Sequence, residues 1–364
     1  MFNTLLVLVL LNLVLVLVSL TKRPPAEPDP LSKYGGDALQ KAYPGWRKED
    51  VRTLIQETSH RQAKYEPFTE SGERPFRGKY VNVDAAGFRL SKDQAPWPPK
   101  PQAMNVFVFG GSTTFGYGLP DDQTIVSYLG ECALANGPGG RPAVYNFGRE
   151  GYFSSQELIL FQQLLRAGFV PQVAVFIDGM NDFFSADGQP TFADKFRRLM
   201  DGKLGSSNPL NKLPMIQAFH RLRAYWTRRP PQKAVWNRTD PELLEGVVNR
   251  WLINKKMIEL TAAGFGVRPI FVWQPVPTYK YDLNYHFLSS GSPVSGYPPA
   301  LSGYALMDGA RTDGKLGPNV LWLADRQQDK HENLYVDAVH YTADFSKEIA
   351  GQICGALNQR PNAQ

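Results

Sequence analysis

The chain has 364 residues, 43% of them hydrophobic, and its 40 Lys and Arg residues outnumber its 34 Asp and Glu residues. This length suits one large domain or two small ones, and the mild basic excess fits contact with anionic surfaces without requiring it. The five histidines are scattered, and the chain has no zinc-like Cys/His spacing, no Gly-Lys-Ser/Thr phosphate loop and no nucleic-acid fold signature. The sequence therefore argues against a metal site, a phosphate-binding loop and a nucleic-acid partner.

The first segment, residues 2–20, is almost wholly Leu and Val. As a helix it would measure roughly 28 Å, which is enough to cross a bilayer. A cleaved signal peptide normally starts with basic residues and ends at a small-x-small site, and this segment does neither. The sequence therefore predicts an uncleaved transmembrane anchor over residues 1–21. Lys22 and Arg23, just after it, favour a cytoplasmic body by the positive-inside rule.

Residues 22–102 are predicted to be a linker followed by an N-terminal extension of the main domain. Residues 24–30 read Pro-Pro-Ala-Glu-Pro-Asp-Pro, which is typical of a stiff spacer. Further along, residues 50–63 are predicted to form a short helix, and residues 80–89 a strand followed by a turn. We expect this extension to pack on the main body of the protein.

After the extension, predicted strands and helices alternate. Strands are predicted at 106–109, 143–146, 173–177 and 268–273, and helices at 122–136, 154–168, 241–264 and 342–357. This alternation predicts an α/β fold with a mostly parallel sheet covered by helices on both faces. The main domain is predicted to span residues 103–358, with an insertion at about 183–240 and a tail at 359–364.

The two cysteines, Cys132 and Cys354, both fall in predicted helices. Two cysteines do not make a disulfide framework, so the default interpretation is that both are buried free thiols. A bridge becomes feasible if the first and last helices of the domain lie on the same side of the sheet.

Four predicted loops carry groups that acyl transfer requires. In an open parallel sheet, ligands bind beyond the carboxyl ends of the strands. The groups found there are Ser112 in a Gly-Gly-Ser turn, Gly151, Asn181, and Asp337 with His340 just before the last helix. Each alone has a structural explanation, such as a helix cap or a tight turn. Their occurrence together, in chain order and at strand ends, favours catalysis.

The chemistry predicts a role for each of these residues. Ser112 is the predicted nucleophile, His340 the base that takes its proton, and Asp337 the carboxylate that orients the imidazole. The N–H groups of Ser112 and Gly151, together with the side-chain amide of Asn181, are predicted to form the oxyanion hole.

Other polar residues near these loops have weaker assignments. Gly148 is the alternative to Gly151 as the oxyanion glycine. Gln274, directly after a predicted strand, either lines the substrate pocket or bonds only to backbone. Asp182 is interpreted as a structural acid, and His331 as a poorer base than His340 because it lacks the D-x-x-H spacing. The predicted insertion also carries basic residues among aromatic ones, which indicate a solvated face or a cap that recruits an anionic polymer or membrane: Lys195, Arg197, Arg198, Arg221, Arg223, Arg228, Arg229 and Lys233.

At these positions the chain resembles the SGNH hydrolases, also called GDSL-type esterases and lipases. The resemblance rests on Gly-Gly-Ser at 110–112, on Gly151, on Gly-Met-Asn-Asp at 179–182 and on Asp-Ala-Val-His at 337–340. The order and rough spacing fit over about residues 105–357. The nucleophile block departs from the name-giving Gly-Asp-Ser because Gly111 replaces the acid, which is not one of the reacting groups.

The resemblance implies a flavodoxin-like three-layer α/β/α fold and ester hydrolysis without a cofactor. Some anchored members are polysaccharide O-acetylesterases or O-acetyltransferases, which favours a catalytic domain outside the cytoplasm, in the periplasm. Residues 80–89 are also loosely similar to an Asn…Gly-Phe-Arg stretch that precedes the nucleophile in some bacterial members.

The sequence thus predicts a membrane-anchored serine esterase or acetylesterase. Its expected partners are the membrane and an ester-bearing small molecule, lipid or acetylated glycan. Two alternatives remain open at this point, namely an O-acetyltransferase that uses the same residues on a glycan, and an anchored binding module with a degenerate site.

Overall fold

The computed structural model describes residues 6–7, 10–15, 36–134, 140–190, 193, 213, 215–216, 240–288 and 298–359. Contacts along the chain divide it into two units, one of Met1–Asp29 with Phe192–Asn237 and one of Pro30–Thr191 with Arg238–Gln364. Few residues of the first unit are described. Within it, the Met215 backbone N–H donates a hydrogen bond to Asn12 Oδ1 at 3.2 Å.

Most of the predicted anchor, and all of the proline-rich spacer at 24–30, lie outside the described residues. Residues 6–7 and 10–15 of the apolar segment are helical. Among the residues that the structure describes, no helix is both long and apolar enough to cross a membrane.

The second unit is built on a five-stranded sheet. Its strands are β5 (Asn105–Gly110), β6 (Ala143–Asn146), β7 (Val173–Asp178), β8 (Arg268–Trp273) and β9 (Val320–Trp322). They lie in the order β6-β5-β7-β8-β9, and every neighbouring pair is parallel. In chain order this is the 2-1-3-4-5 arrangement of flavodoxin-like sheets. The predicted parallel α/β sheet is confirmed, with β9 as a short edge strand that the sequence did not reveal.

The two faces of the sheet carry different side chains because successive strand residues point to opposite sides. On one face, aromatic residues such as Phe107, Phe109 and Trp273 pack against α4 (Ser154–Arg166), α6 (Pro241–Gly264) and α7 (Pro298–Thr312). On the other face, valines of the same strands pack against α3 (Ile125–Gly130) and α8 (Ala343–Asn358). Helices therefore cover both faces, as the alternating pattern predicted.

Helix α3 is shorter than the predicted helix at 122–136. A 3-10 turn at Asp121–Gln123 comes first, and Thr124 then caps α3 by accepting a hydrogen bond from the Ser127 N–H at 3.1 Å. An N-cap residue has extended backbone angles, so the helix cannot run continuously through it. In contrast, α6 has the predicted bounds, with Asp240 as its N-cap.

Cys132, just after α3, and Cys354, in α8, form a disulfide. Their Cα atoms are 5.8 Å apart although 222 residues separate them in sequence. The interpretation of both cysteines as free thiols is therefore wrong. The bridge forms because α3 and α8 pack side by side on the same face of the sheet.

The N-terminal extension belongs to this second unit. It contains a 3-10 helix (Gly36–Ala42), α1 (Lys48–Ser59), an antiparallel hairpin of β1 (Ala63–Glu66) with β2 (Glu70–Glu73), and a pair of β3 (Phe76–Arg77) with β4 (Asn82–Val83). Leu54, Ile55 and Val81 of the extension share one apolar cluster with Phe115, which follows Ser112 closely in the chain. The extension thus packs directly against the turn that carries the predicted nucleophile.

Candidate active site

Ser112 lies at the carboxyl end of β5, as the first residue of the short helix α2 (Ser112–Phe115). The two glycines before it are needed because neighbouring atoms approach closely. A Cβ on Gly110 would lie 2.0 Å from Thr114 Oγ1, and one on Gly111 would lie 2.2 Å from Asn181 Nδ2. The glycine that replaces the expected acid at position 111 therefore lets the Asn181 amide approach the turn.

Ser112, His340 and Asp337 lie in one line of hydrogen bonds. His340 Nε2 is 2.8 Å from Ser112 Oγ, and His340 Nδ1 is 2.7 Å from Asp337 Oδ2. Asp337 Oδ1 accepts the backbone N–H groups of Val339 and His340, each at 2.9 Å. With the Nδ1–H donated to Asp337, Nε2 is left to accept the serine proton.

The environment of Asp337 keeps its carboxyl ionised. Burial by itself would raise the pKa of this group. The nearby His340 ring and the hydrogen bonds from the ring and two backbone N–H groups outweigh burial and hold the Asp337 pKa below its usual value. A buried carboxylate at this position can fix the imidazole tautomer and stabilise an imidazolium.

Tyr117 is a further contact of His340 that sequence reasoning missed. Its ring stacks on the imidazole with centroids 5.1 Å apart and an interplanar angle of 23°. The Tyr117 hydroxyl donates to Glu150 Oε2 at 2.8 Å, which fixes the ring plane. Only its position five residues after Ser112 could have drawn attention to it.

Three groups near the Ser112 turn in the predicted site have an N–H that can still be donated. Among the described residues, the N–H groups of Ser112 and Gly151 have no hydrogen-bond acceptor. Asn181, in the first turn of α5 (Met180–Phe184), donates one of its two side-chain amide hydrogens to the Tyr152 carbonyl at 2.7 Å. Its second amide hydrogen can still be donated to a substrate. The Gly148 N–H already donates to an Asn side chain at 3.0 Å. This arrangement favours Gly151 over Gly148 as the donor.

The remaining predicted residues lie around the site. Gln274 is 3% exposed, and its Oε1 accepts a hydrogen bond from the Thr113 hydroxyl at 2.6 Å. It is therefore buried against the Ser112 turn and does not line an exposed surface. Asp182 is fully buried and accepts the Ser154 hydroxyl at 2.6 Å. His331 is exposed and packs against Tyr285, away from the hydrogen-bonded line. The basic residues of the predicted insertion lie outside the described residues.

Three buried carboxyl groups lie in or next to α5. Asp178 and Asp182 flank Asn181 in the chain, and Glu157 of α4 lies close to both. Burial is the main reason that the pKa of each group is raised, and neighbouring carboxyls raise the pKa of Glu157 and Asp178 further. Trp251 Nε1 donates to Asp178 Oδ2 at 2.9 Å. Within the described ranges, no group of His, Cys, Asp and Glu has a geometry that could hold a metal ion.

Comparison with known proteins finds similarity only among solved structures. No family model and no curated protein matches the chain. A member of the lipolytic G-D-S-L family from Veillonella parvula is 12% identical, with 71% of this chain and all (100%) of that chain covered and a TM-score of 0.36. A lipase/acylhydrolase from Enterococcus faecalis is 16% identical (71% and 99% covered, TM-score 0.39). A carbohydrate acetylesterase family member from Sinorhizobium meliloti is 11% identical (70% and 96% covered, TM-score 0.39).

Two further polar residues contact the helix that carries Ser112. Asn146, the last residue of β6, donates to the Thr114 carbonyl at 2.9 Å, and Arg89 donates to the Phe115 carbonyl at 2.8 Å. Neither was predicted to belong to the site. The only sequence signal was the Gly-Phe-Arg stretch that ends at Arg89.

Proposed function

We propose that this chain is a serine-dependent ester hydrolase. Ser112 Oγ attacks the ester carbonyl carbon while its proton passes to His340 Nε2. The tetrahedral intermediate collapses when the imidazolium returns that proton to the departing alcohol, which leaves an acyl group on Ser112. A water molecule then attacks the acyl carbon and His340 takes one of its protons. The imidazolium returns this proton to Ser112 Oγ as the bond to the acyl group breaks, so the carboxylic acid leaves and the serine is restored. Asp337 orients the imidazole and stabilises its charged form.

The negative oxygen of the intermediate would be held by the N–H groups of Ser112 and Gly151 and by Asn181 Nδ2. Such donors are already oriented before the reaction, so they cost no reorganisation when the charge develops. Each donor of this kind contributes about 2.7 to 4 kcal/mol to transition-state stabilisation. A hole of three donors is therefore a major part of the proposed rate enhancement.

The hydrogen-bonded line from Asp337 through His340 to Ser112 carries the proposal. A fluorophosphonate probe and a series of p-nitrophenyl esters of increasing acyl length test it. We expect the probe to label Ser112 and esters to be hydrolysed, with both lost in Ser112→Ala. Ser59 provides a matched control, because its Oγ is 2.9 Å from His60 Nδ1 but its hydroxyl donates to the Ile55 carbonyl at 2.7 Å. Ser59→Ala should behave as wild type, and an unreduced rate in Ser112→Ala would refute the proposal.

The acyl-length series also addresses the substrate. A strong preference for acetyl esters supports an acetylesterase, and a rise in rate with chain length supports a lipase-like enzyme. Addition of a glycan acceptor to the acetyl ester assay separates hydrolysis from transfer, because a transferase gives acetylated glycan at the expense of free acetate.

We further propose that residues 1–21 anchor the protein in a membrane, with the catalytic domain at 103–358 outside the cytoplasm. The Leu- and Val-rich composition supports the anchor. The Cys132–Cys354 bridge supports the location, because structural disulfides persist mainly in oxidising compartments. The proposed domain limits include the extension at 22–102, an insertion at about 183–240 and a tail at 359–364.

Membrane fractionation and protease protection test this arrangement. We expect the full chain to stay with membranes after carbonate extraction and to be digested from the outside in intact spheroplasts. A chain that fractionates as a soluble protein, or that is digested only after lysis, contradicts the proposed anchor or orientation respectively.

A further inference from the structure

We propose that Arg89 of the N-terminal extension is a positioning residue for the nucleophile. It holds the C-terminal end of helix α2 and thereby fixes the position of Ser112. This inference rests on the proposed ester hydrolysis. Arg89 touches none of the proposed reacting atoms. Its guanidinium is fully buried and is directed at the backbone of the segment that follows Ser112.

Arg89 donates hydrogen bonds to carbonyl groups at the end of α2 and in the turn just after it. The last carbonyls of any helix have no partner within the helix, and α2 has only four residues. Arg89 Nη1 donates to the Phe115 and Gly116 carbonyls at 2.8 and 2.6 Å, and Nη2 donates to the Leu119 carbonyl at 2.6 Å. One side chain thus holds three carbonyl groups of the segment at 115–119.

Glycine at position 116 makes this approach feasible. Its φ is +91°, which is a left-handed backbone conformation that residues other than glycine rarely adopt. A Cβ there would lie 3.0 Å from Arg89 Nη1 and 2.5 Å from Thr124 Cγ2. The helix therefore ends in a turn that brings its carbonyls onto the guanidinium.

Arg89 is itself fixed on both sides. Its Nε donates to Asp121 Oδ1 at 3.0 Å, which provides the opposite charge that a buried guanidinium requires. The Asp121 carboxylate also accepts the backbone N–H and the side-chain amide of Asn82, at 3.1 and 2.8 Å. Charge-assisted hydrogen bonds of this kind are about twice as strong as neutral ones.

The backbone of Arg89 joins the same network to the sheet. Its N–H donates to the Asn146 carbonyl at 2.9 Å, and the Asn146 side chain donates to the Thr114 carbonyl at 2.9 Å. The Asn146 Oδ1 atom accepts the Gly148 N–H at the start of the loop that leads to Gly151. Arg89 and Asn146 together connect the extension, the nucleophile helix and the oxyanion loop.

This network has a consequence for the reaction. Ser112 Oγ must stay within hydrogen-bond distance of His340 while its own N–H points at the substrate oxygen. The four-residue helix has too few internal hydrogen bonds to hold that geometry. A displacement of about 1 Å in such a site can cost about a hundredfold in rate. Arg89 therefore acts on turnover more than on substrate binding.

The test compares Arg89→Lys with Arg77→Lys in the full chain. Lysine keeps the charge but cannot reach four acceptors at once. Arg77 belongs to the same extension and donates to the Val83 carbonyl at 3.0 Å, without contact to α2. We expect Arg89→Lys to lower kcat by about ten- to a hundredfold with KM within about threefold of wild type. Arg77→Lys should leave both constants unchanged.

Hydrogen exchange supplies a readout that is independent of catalysis. In Arg89→Lys, the amides at 115–119 should exchange about tenfold faster or more, while those of α8 stay as in wild type. Asp121→Asn is a milder variant that should give the same pattern with a smaller effect if Arg89→Lys does not fold. Ile353→Val in α8 controls for lost stability, because Ile353 is buried in an apolar cluster that contains none of the residues of this network.

The outcomes separate the two proposals. A wild-type kcat in Arg89→Lys, or a fall no larger than in an Ile353→Val variant of equal melting temperature, would overturn the positioning role. If the wild-type chain neither hydrolyses esters nor reacts with the probe at Ser112, the proposed function fails. The exchange comparison then still decides whether Arg89 holds α2.

Discussion

Replacement of Asn181 by alanine gives a quantitative prediction for the oxyanion hole. Asn181 Nδ2 donates one hydrogen to the Tyr152 carbonyl and lies next to Gly111, with its second hydrogen unassigned. Loss of that second donor should raise the barrier by about 2.7 to 4 kcal/mol, which lowers kcat by about 10² to 10³. KM should stay within about threefold, because the interaction forms only in the transition state. Loss of the Tyr152 bond should separately cost about 1 kcal/mol of folding stability.

The assay is steady-state hydrolysis of a p-nitrophenyl ester combined with urea unfolding. Asn105→Ala is a matched control, because the Asn105 side chain also donates to a backbone carbonyl, at 2.8 Å, but lies at the opposite end of β5. It should lose comparable stability and keep its kcat. An Asn181→Ala enzyme with unchanged kcat, or with a loss confined to KM, would refute the assignment of this amide to the oxyanion hole.

Three further predictions concern stability and the environment of His340. Burial raises the pKa of Asp178 to about 8, so its neutral form stabilises the fold fully below the unfolded pKa of about 4 and loses this contribution as pH rises through about 8. Thermal melts from pH 4 to 9 should therefore show wild type losing stability relative to Asp178→Asn as pH rises, and parallel curves would contradict this pKa. Reduction of the Cys132–Cys354 bridge should lower the free energy of unfolding by about 2 to 5 kcal/mol in urea titrations while kcat stays unchanged, and an equal stability with and without reductant would be the contrary result. Tyr117→Leu should remove a ring contact worth about 0.5 to 1.5 kcal/mol and lower kcat by up to about tenfold, whereas Tyr117→Phe keeps the ring on His340; equal rates in both variants would exclude a role for stacking.

The sheet was predictable because its central strands are continuous apolar runs. Strands such as Val173–Asp178 are buried on both faces, and the pattern of such a strand does not depend on distant parts of the chain. The edge strand Val320–Trp322 has only three residues and half-buried side chains, so its sequence carries little signal. The hairpin at 63–73 was missed for a related reason, since its strands have only four residues each and the second reads Glu-Ser-Gly-Glu, without an apolar side chain.

The positions of the candidate site residues were predictable where they follow directly from strand order. Ser112, Gly151 and Asn181 come after successive strands, and parallel strands bring such positions to one edge of the sheet. Arg89 was not predictable, because three of its four partners are backbone carbonyls more than 25 residues away, and carbonyls leave no trace in the sequence. The Cys132–Cys354 bridge likewise depends on two helices that meet only after the sheet has formed.

Intact-mass and peptide mass spectrometry of the fluorophosphonate-treated protein test the central claim most directly. The proposed mechanism predicts one adduct per chain, located on Ser112 and absent from Ser112→Ala, with labelling slowed about 10³-fold or more in His340→Ala. Stoichiometric labelling at another residue, or ester hydrolysis by Ser112→Ala at the wild-type rate, would contradict the role of Ser112 as nucleophile.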